Sequence, residues 1–149
     1  MFFILTVLAF PMIDDNADLA KERRRFVGTW ELTQVIKDGK VEEEPVGGKT
    51  YYVFSADGTY VGKVGNSNVG KGTFKPLPGT NPTALDWTTA SRQEFDGKYT
   101  RDYPAVGLYR FNGDILTIVL RHEGKPEDRP KDFDCKPGSH HYLIKLKKQ

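Results

Sequence analysis

Apolar and polar residues alternate along most of this chain, which is the pattern of half-buried β-strands. From position 30 onward, one face of the first such segment consists of Trp30, Leu32, Gln34 and Ile36. The same period recurs in later segments, at positions 49–55, 59–64, 69–75, 83–88, 105–111, 115–121 and 141–147. The sequence therefore predicts about eight strands.

Turn residues separate these segments at short intervals. Ala56-Asp57-Gly58 and Asn112-Gly113-Asp114 are typical of hairpin connections, and Pro76 is expected to end the strand that starts at position 69. Because no helix separates the strands, an all-β antiparallel up-and-down barrel is favoured over a parallel α/β sheet. One short N-terminal helix is predicted at positions 18–26, with Asp18 as its N-cap.

Several short motifs, in order and at characteristic spacing, resemble a family of uncharacterised lipocalin-like domains that is common in planctomycete-type bacteria. They span positions 26 to 147 and are Phe26-Val27-Gly28-Thr29-Trp30, Gly72-Thr73-Phe74-Lys75, Ala84-Leu85-Asp86-Trp87-Thr88, Gly107-Leu108-Tyr109-Arg110-Phe111-Asn112-Gly113-Asp114-Ile115-Leu116, and Arg129-Pro130 with Phe133 ahead of Pro137-Gly138. The resemblance implies a lipocalin-like barrel that is commonly exported and has no established activity. It supplies no catalytic residues.

The resemblance also gives Trp30 a place, since lipocalin-type barrels seal one end with a Gly-x-Trp at the junction between helix and first strand. Trp30 is expected to be buried against the helix around Leu19 and Phe26. In that pattern a cation from the end of the barrel lies over the indole, and the candidates here are Arg129 and Lys145.

Composition narrows the class of protein. With 149 residues the chain is long enough for one domain, predicted at positions 13–149. A net charge of +2 does not favour nucleic-acid binding. Cys135 is the only cysteine, so an intramolecular disulfide is excluded.

The first residues are apolar. Positions 1–12 are too short for a transmembrane helix, so they are interpreted as a signal-peptide remnant, which favours a periplasmic or extracellular location. The alternative is an apolar tail of a cytoplasmic protein.

Two functions are compatible with a barrel of this size, because eight-stranded barrels are either filled by side chains or hold one small ligand. The first is a non-enzymatic domain that binds a small apolar or amphipathic molecule inside the barrel. The second is a module that contacts a protein or the cell envelope and has a solid interior. For the first, the predicted lining is Trp30, Gln34, Tyr52, Phe54, Tyr60, Phe74, Trp87, Tyr109 and Phe111.

Other chemistry has little support in the sequence. There is no nucleophile elbow, metalloprotease motif or phosphate-binding loop, so neither an enzyme nor a cofactor is predicted. The one combination with metal-binding chemistry is His122, Cys135, His140 and His141. Its spacing matches no compact zinc signature, and a surface cluster without a metal is the favoured interpretation.

The connection at positions 89–104 is longer and more charged than is expected for the family. A segment of this length is either a lid over the barrel mouth or a mobile loop. As a lid it would place Tyr99 and Tyr103 over the mouth, although local packing of these rings is the favoured interpretation.

Overall fold

One α-helix, one short 3-10 helix (Pro126–Asp128) and nine strands form the described part of the chain in a computed structural model, which covers residues 15–43, 48–90 and 102–149. The elements are α1 (Asp15–Phe26), β1 (Gly28–Lys37), β2 (Lys40–Val41), β3 (Thr50–Phe54), β4 (Thr59–Val64), β5 (Ser67–Leu77), β6 (Ala84–Thr89), β7 (Tyr103–Asn112), β8 (Ile115–His122) and β9 (His141–Lys148). The helix begins at Asp15 rather than after Asp18. Asp18 lies in its first turns, where a carboxylate also interacts favourably with the helix N-terminus.

The strands close into an antiparallel barrel. Each strand from β3 to β9 pairs with the next, β1 pairs with β3, and β9 returns to pair with β1. Eight strands thus form the wall, while β2 folds back on the end of β1 as a short extension. The predicted all-β barrel with one short helix is confirmed. Closure leaves the barrel strands without an open edge on which another chain could pair.

A β-bulge in β1 changes which residues face the barrel interior. Leu32 pairs with Leu146, but the register shifts before Gln34, which then pairs with Lys145, and Val35 pairs with Ile144. Because side chains alternate between faces, Val35 packs against the core and Gln34 faces outward. The prediction that Gln34 and Ile36 share the inner face with Trp30 was therefore wrong. An extra residue at the bulge reverses the alternation.

Strand β5 continues through Pro76 instead of ending before it. Pro76 is buried and pairs with Leu85 of β6. The amide of Phe74, two residues earlier, points to the β4 side and donates to the Gly58 carbonyl at 2.8 Å. Pro76 presents its ring nitrogen to the same side, but the pairing with β4 ends at Thr73. No described strand pairs with β5 on that side at Pro76, so the missing N–H is tolerated.

The connection from β8 to β9 covers part of the outer wall. Arg129 donates to the carbonyls of Leu85 and Gly107 at 2.8 and 3.0 Å and to the Asp86 carboxylate at 2.6 Å. Gly124 lies against Val106, an outward-facing residue that is nevertheless buried. This segment fixes β6, β7 and β8 from outside, so the barrel has apolar packing on both faces there.

Two predictions concern residues outside the described ranges. One is the apolar segment at positions 1–12, and the other is the lid in the connection at positions 89–104, of which residues 91–101 are not described. The described ends of that connection belong to strands, since Thr89 pairs with Tyr103. Within residues 15–43, 48–90 and 102–149, no helix has the length and apolar character needed to cross a bilayer.

Candidate functional site

The end of the barrel beneath α1 is filled by aromatic rings. Phe26, the last residue of α1, is fully buried, and its ring lies 4.9 to 5.6 Å, between centroids, from four rings of the barrel wall: Phe54, Phe74, Tyr109 and Phe111. The rings of this cluster pack directly against one another and fill that end of the barrel. Four of the nine predicted lining residues are therefore packing residues of the closed end.

Trp30 closes the same end, as the resemblance to lipocalin-type barrels implied. Its side chain is 1% exposed, and its indole N–H donates to the Phe26 carbonyl at 2.7 Å. The cation over the indole is Lys148, with its ammonium 5.5 Å from the ring centroid. The prediction that Arg129 or Lys145 lies over the indole was wrong. Arg129 binds the outer wall, and Lys145 pairs with the outward-facing Gln34.

The helix is also held by a polar contact. The Tyr109 hydroxyl donates to the Glu22 carboxylate at 2.6 Å, and Arg25 forms a salt bridge with the same carboxylate at 3.1 Å. Burial, followed by the contact with Glu22, raises the pKa of Tyr109. The phenol therefore stays protonated and continues to donate at physiological pH. It fixes α1 across the closed end.

The opposite end of the barrel contains a cavity of about 280 Å³. Pockets for drug-sized ligands usually measure about 300–1,000 Å³, so this cavity suits a small molecule. Aromatic, aliphatic and glycine residues form most of its wall, with a few polar groups toward the mouth: Val35, Thr50, Tyr52, Tyr60, Gly62, Val69, Gly70, Lys71, Trp87, Thr89, Leu120, His122, Tyr142 and Ile144.

Three aromatic rings form one side of the cavity. Tyr60 and Trp87 lie 4.2 Å apart between ring centroids, and Tyr52 lies 5.8 and 5.9 Å from them. The Tyr60 hydroxyl is 3.1 Å from the Thr89 hydroxyl, which fixes the phenol ring in place. Burial raises the pKa of Tyr60 to about 12. A flat apolar group would find a preformed surface here.

Glycines on β4 and β5 create the open space. Gly62 and Gly70 are opposite one another in the ladder, and both line the cavity. A Cβ placed on Gly70 would meet no atom within 4 Å, so the space beyond it is empty. Gly72 has a different role. A Cβ there would lie 1.9 Å from the Thr88 carbonyl oxygen and 2.7 Å from the Tyr60 ring, so its absence lets Tyr60 lie close to β5.

Polar groups from three strands meet at one side of the mouth. The His122 ring contacts the Tyr142 ring edge-on, with centroids 4.8 Å apart, and the Lys37 ammonium lies 5.3 Å from the centroid of Tyr142. His122 is exposed at the rim, yet partial loss of hydration and the nearby Lys37 charge lower its pKa. The interaction with the Tyr142 hydroxyl raises the pKa of Lys37. In the unliganded protein the imidazole is therefore biased toward its neutral form.

Of the predicted lining residues, Tyr52, Tyr60 and Trp87 lie in the cavity wall. Gln34 is on the outer face, and the remaining five belong to the closed end. Sequence reasoning missed His122 as a lining residue, although it continues the inward series of Leu116, Ile118 and Leu120 at a spacing of two. It also missed Val35, for which no signal existed before the bulge was known.

The histidines and the cysteine do not form one cluster. His122 faces the cavity mouth, whereas Cys135 lies on the outer side, with its thiol donating to the carbonyls of His141 and Ile36 at 3.1 and 3.4 Å. His140 is in the turn before β9, where its amide binds Asp38. Among the residues described, no three His, Cys, Asp or Glu side chains come together in a way that could hold a metal ion.

Comparisons with protein-family models, with curated proteins and with solved structures found no match for this chain. The resemblance to lipocalin-like domains thus stays a prediction from the motifs. The assignment of the fold depends on the strand pairing, and the assignment of a site depends on the cavity and its lining.

Proposed function

We propose that the protein is a non-enzymatic binding domain that holds one small apolar or amphipathic molecule in the open half of its barrel. The observation that carries this proposal is the cavity of about 280 Å³ with Tyr52, Tyr60 and Trp87 along one side. Burial of a flat apolar group against these rings would supply most of the affinity, at about 25 cal/mol per Å² of apolar surface removed from water.

The closed half of the barrel supports the same function. Its packed rings form a rigid floor under the cavity, so little conformational entropy is lost when a ligand binds. A domain used only for contacts on its outer surface would not require an aromatic cavity inside. The cavity therefore favours ligand binding over the solid interaction module, which is the alternative from the sequence.

The lining residues favour binding over catalysis. Among the described residues of the cavity there is no carboxylate, serine or cysteine, and the hydroxyl of Thr89 is 3.1 Å from that of Tyr60 rather than paired with the imidazole of His122. With this function we also propose the lipocalin-like relationship and the export that the sequence suggests. An exported barrel of this kind would carry or retain a poorly soluble small molecule.

A cavity-filling variant tests the proposal. Gly70→Leu places a side chain into the empty space without a backbone clash, since its φ is not in the left-handed region and no atom lies within 4 Å of the added Cβ. Thr73→Leu is the matched control, because it adds the same side chain to an exposed, outward-facing position of the same strand. The probe is N-phenyl-1-naphthylamine, whose fluorescence rises in an apolar site.

We expect the probe to bind wild-type protein and Thr73→Leu equally and Gly70→Leu about tenfold more weakly or worse, a loss of about 1.4 kcal/mol. Circular dichroism establishes that all three proteins are folded. Native mass spectrometry of protein purified gently from its own source should show an additional small-molecule mass. Equal probe binding by Gly70→Leu and wild type would reject the cavity as the binding site.

A further inference from the structure

We infer that the ligand carries a carboxylate, that this group lies at the side of the mouth formed by Lys37, Tyr142 and His122, and that His122 takes up a proton when the ligand binds. This inference rests on the proposed function, because it names the chemical class of the ligand for the same cavity. The arguments are the placement of these three side chains and the charges around them.

The three groups come from different strands and converge because of the register. Lys37 at the end of β1 pairs with Tyr142 at the start of β9, so their side chains lie on the same face. His122 ends β8, next to β9, and its ring contacts Tyr142 edge-on. An ammonium, a phenol and an imidazole thus stand together where the apolar cavity opens to solvent. Each can donate a hydrogen bond to a carboxylate oxygen.

The charges around His122 favour an anion. The charges of Lys37 from β1 and of Glu123 act on His122, the Tyr142 ring from β9 contacts it, and Tyr52 from β3 and Lys71 from β5 are among the residues that line the same cavity. The carboxylates of Asp38 and Glu42 act on Lys37, and Asp38 also accepts a hydrogen bond from the amide of His140. None of these carboxylates lines the cavity, whereas Lys71 and His122 do. Among the described lining residues there is no carboxylate, so an anionic group of a ligand at the mouth would meet no like charge from them.

This arrangement explains why binding would be coupled to a proton. In the free protein, the Lys37 ammonium and the loss of hydration hold the pKa of His122 below its usual value. A ligand carboxylate placed between Lys37 and His122 would bring a negative charge close to the imidazole. That charge favours the protonated imidazole and raises the pKa of His122. At a pH between the free and bound values, His122 binds a proton together with the ligand. Affinity for a carboxylate must then increase as the pH falls through this window.

Two nearly isosteric probes separate the apolar part of recognition from the charged part. 1-Naphthylacetate has a carboxylate where 1-naphthylacetamide has a neutral amide, and the aromatic group is the same. Isothermal titration calorimetry near pH 6, in two buffers with different ionisation enthalpies, gives the affinity and the number of protons taken up. We expect the acid to bind about tenfold more tightly than the amide, with uptake of part of a proton.

Single substitutions test whether Lys37 and His122 cause the preference for the carboxylate and the proton uptake. Lys37→Gln should weaken binding of 1-naphthylacetate severalfold and leave 1-naphthylacetamide unchanged. Lys145→Gln is the control, because it removes the same charge from the outer face, where Lys145 pairs with Gln34. His122→Gln should abolish the buffer-dependent proton uptake and the increase in affinity at lower pH. Circular dichroism of each variant establishes that a lost effect does not reflect unfolding.

Different outcomes overturn different statements. If both probes bind with equal affinity and Gly70→Leu weakens both, the cavity is a binding site but the carboxylate inference is wrong. If neither probe binds, the proposed function and this inference both fail. If the acid is preferred but proton uptake persists in His122→Gln, then His122 is not the group that titrates.

Discussion

The two ends of this barrel are built from the same strands but have opposite interiors. Under α1, inward positions carry Phe54, Phe74 and Phe111, and Phe26 fills the space between them. At the other end, inward positions of β4 and β5 carry Gly62 and Gly70, and a cavity remains. The comparison shows that one continuous sheet can provide a packed core at one end and a binding cavity at the other. Side-chain volume at a few inward positions decides between them.

The two ends of the barrel are also expected to contribute differently to stability and to binding. Aromatic side chains at the closed end are buried and close-packed, so substitutions there should mainly affect the free energy of unfolding. At the open end a cavity takes the place of side-chain packing, so substitutions there should mainly affect ligand binding. The following predictions test this division, from the largest expected effect to the smallest.

Phe26→Ala should cause the largest loss of stability. It removes a fully buried ring that contacts four others, and loss of such a side chain typically costs about 3–5 kcal/mol. Tyr142→Ala at the open end is the comparison and should cost clearly less, because Tyr142 is only partly buried. Urea unfolding followed by tryptophan fluorescence measures both. Equal losses would show that the two ends do not differ in packing.

Gly72→Ala and Gly70→Ala should differ although both glycines lie on the inner face of β5. The added methyl at position 72 would clash with the Thr88 carbonyl and the Tyr60 ring, and such overpacking costs about 1–3 kcal/mol. At position 70 it enters empty space, so stability should change little. Thermal unfolding of the two variants gives the difference. A larger loss for Gly70→Ala would contradict the position of the cavity.

The smallest predicted effect is on the pH dependence of the unliganded protein. Because the pKa of His122 is lowered in the folded state, the unfolded chain binds more protons there as the pH falls through the ordinary histidine range, near 6.5. The His122 contribution to the free energy of unfolding is present above that range and decreases between about pH 7 and pH 5. His122→Gln should flatten this part of the profile in urea titrations at several pH values. An identical slope in wild type and variant would show that His122 titrates normally.

The strands and turns of the barrel could be predicted from the sequence, because alternation and turn residues are patterns of only a few neighbouring residues. The alternation in β7 and β8 and the turn at Gly113-Asp114 predicted a hairpin that is present, with Asn112 paired to Ile115. The inward alternation of β1 was predicted correctly up to Leu32 and incorrectly from Gln34. A bulge depends on how β1 fits β9, more than a hundred residues later, and the sequence of β1 contains no sign of it.

The candidate site was harder to predict for the same reason. Tyr52, Tyr60 and Trp87 were recognised as inward-facing aromatics, but so were Phe54, Phe74, Tyr109 and Phe111. The alternation of apolar and polar residues does not indicate which of these rings pack against Phe26 and which line the cavity. His122 and Lys37 were recognisable as polar residues at strand ends, but their meeting beside Tyr142 depends on the register of three strands.

The sequence by itself determined that this chain forms an antiparallel barrel, since strand period and turn chemistry are local properties, and its resemblance to lipocalin-type barrels implied that Trp30 seals one end. Only the tertiary structure decided that one half is solid and the other hollow, that Lys148 covers the indole, and that Lys37, Tyr142 and His122 share the mouth. These features arise where residues distant in the chain meet, and closure of β1 on β9 brings them together. Which side chains meet inside a barrel is fixed by strand register, which no single segment encodes.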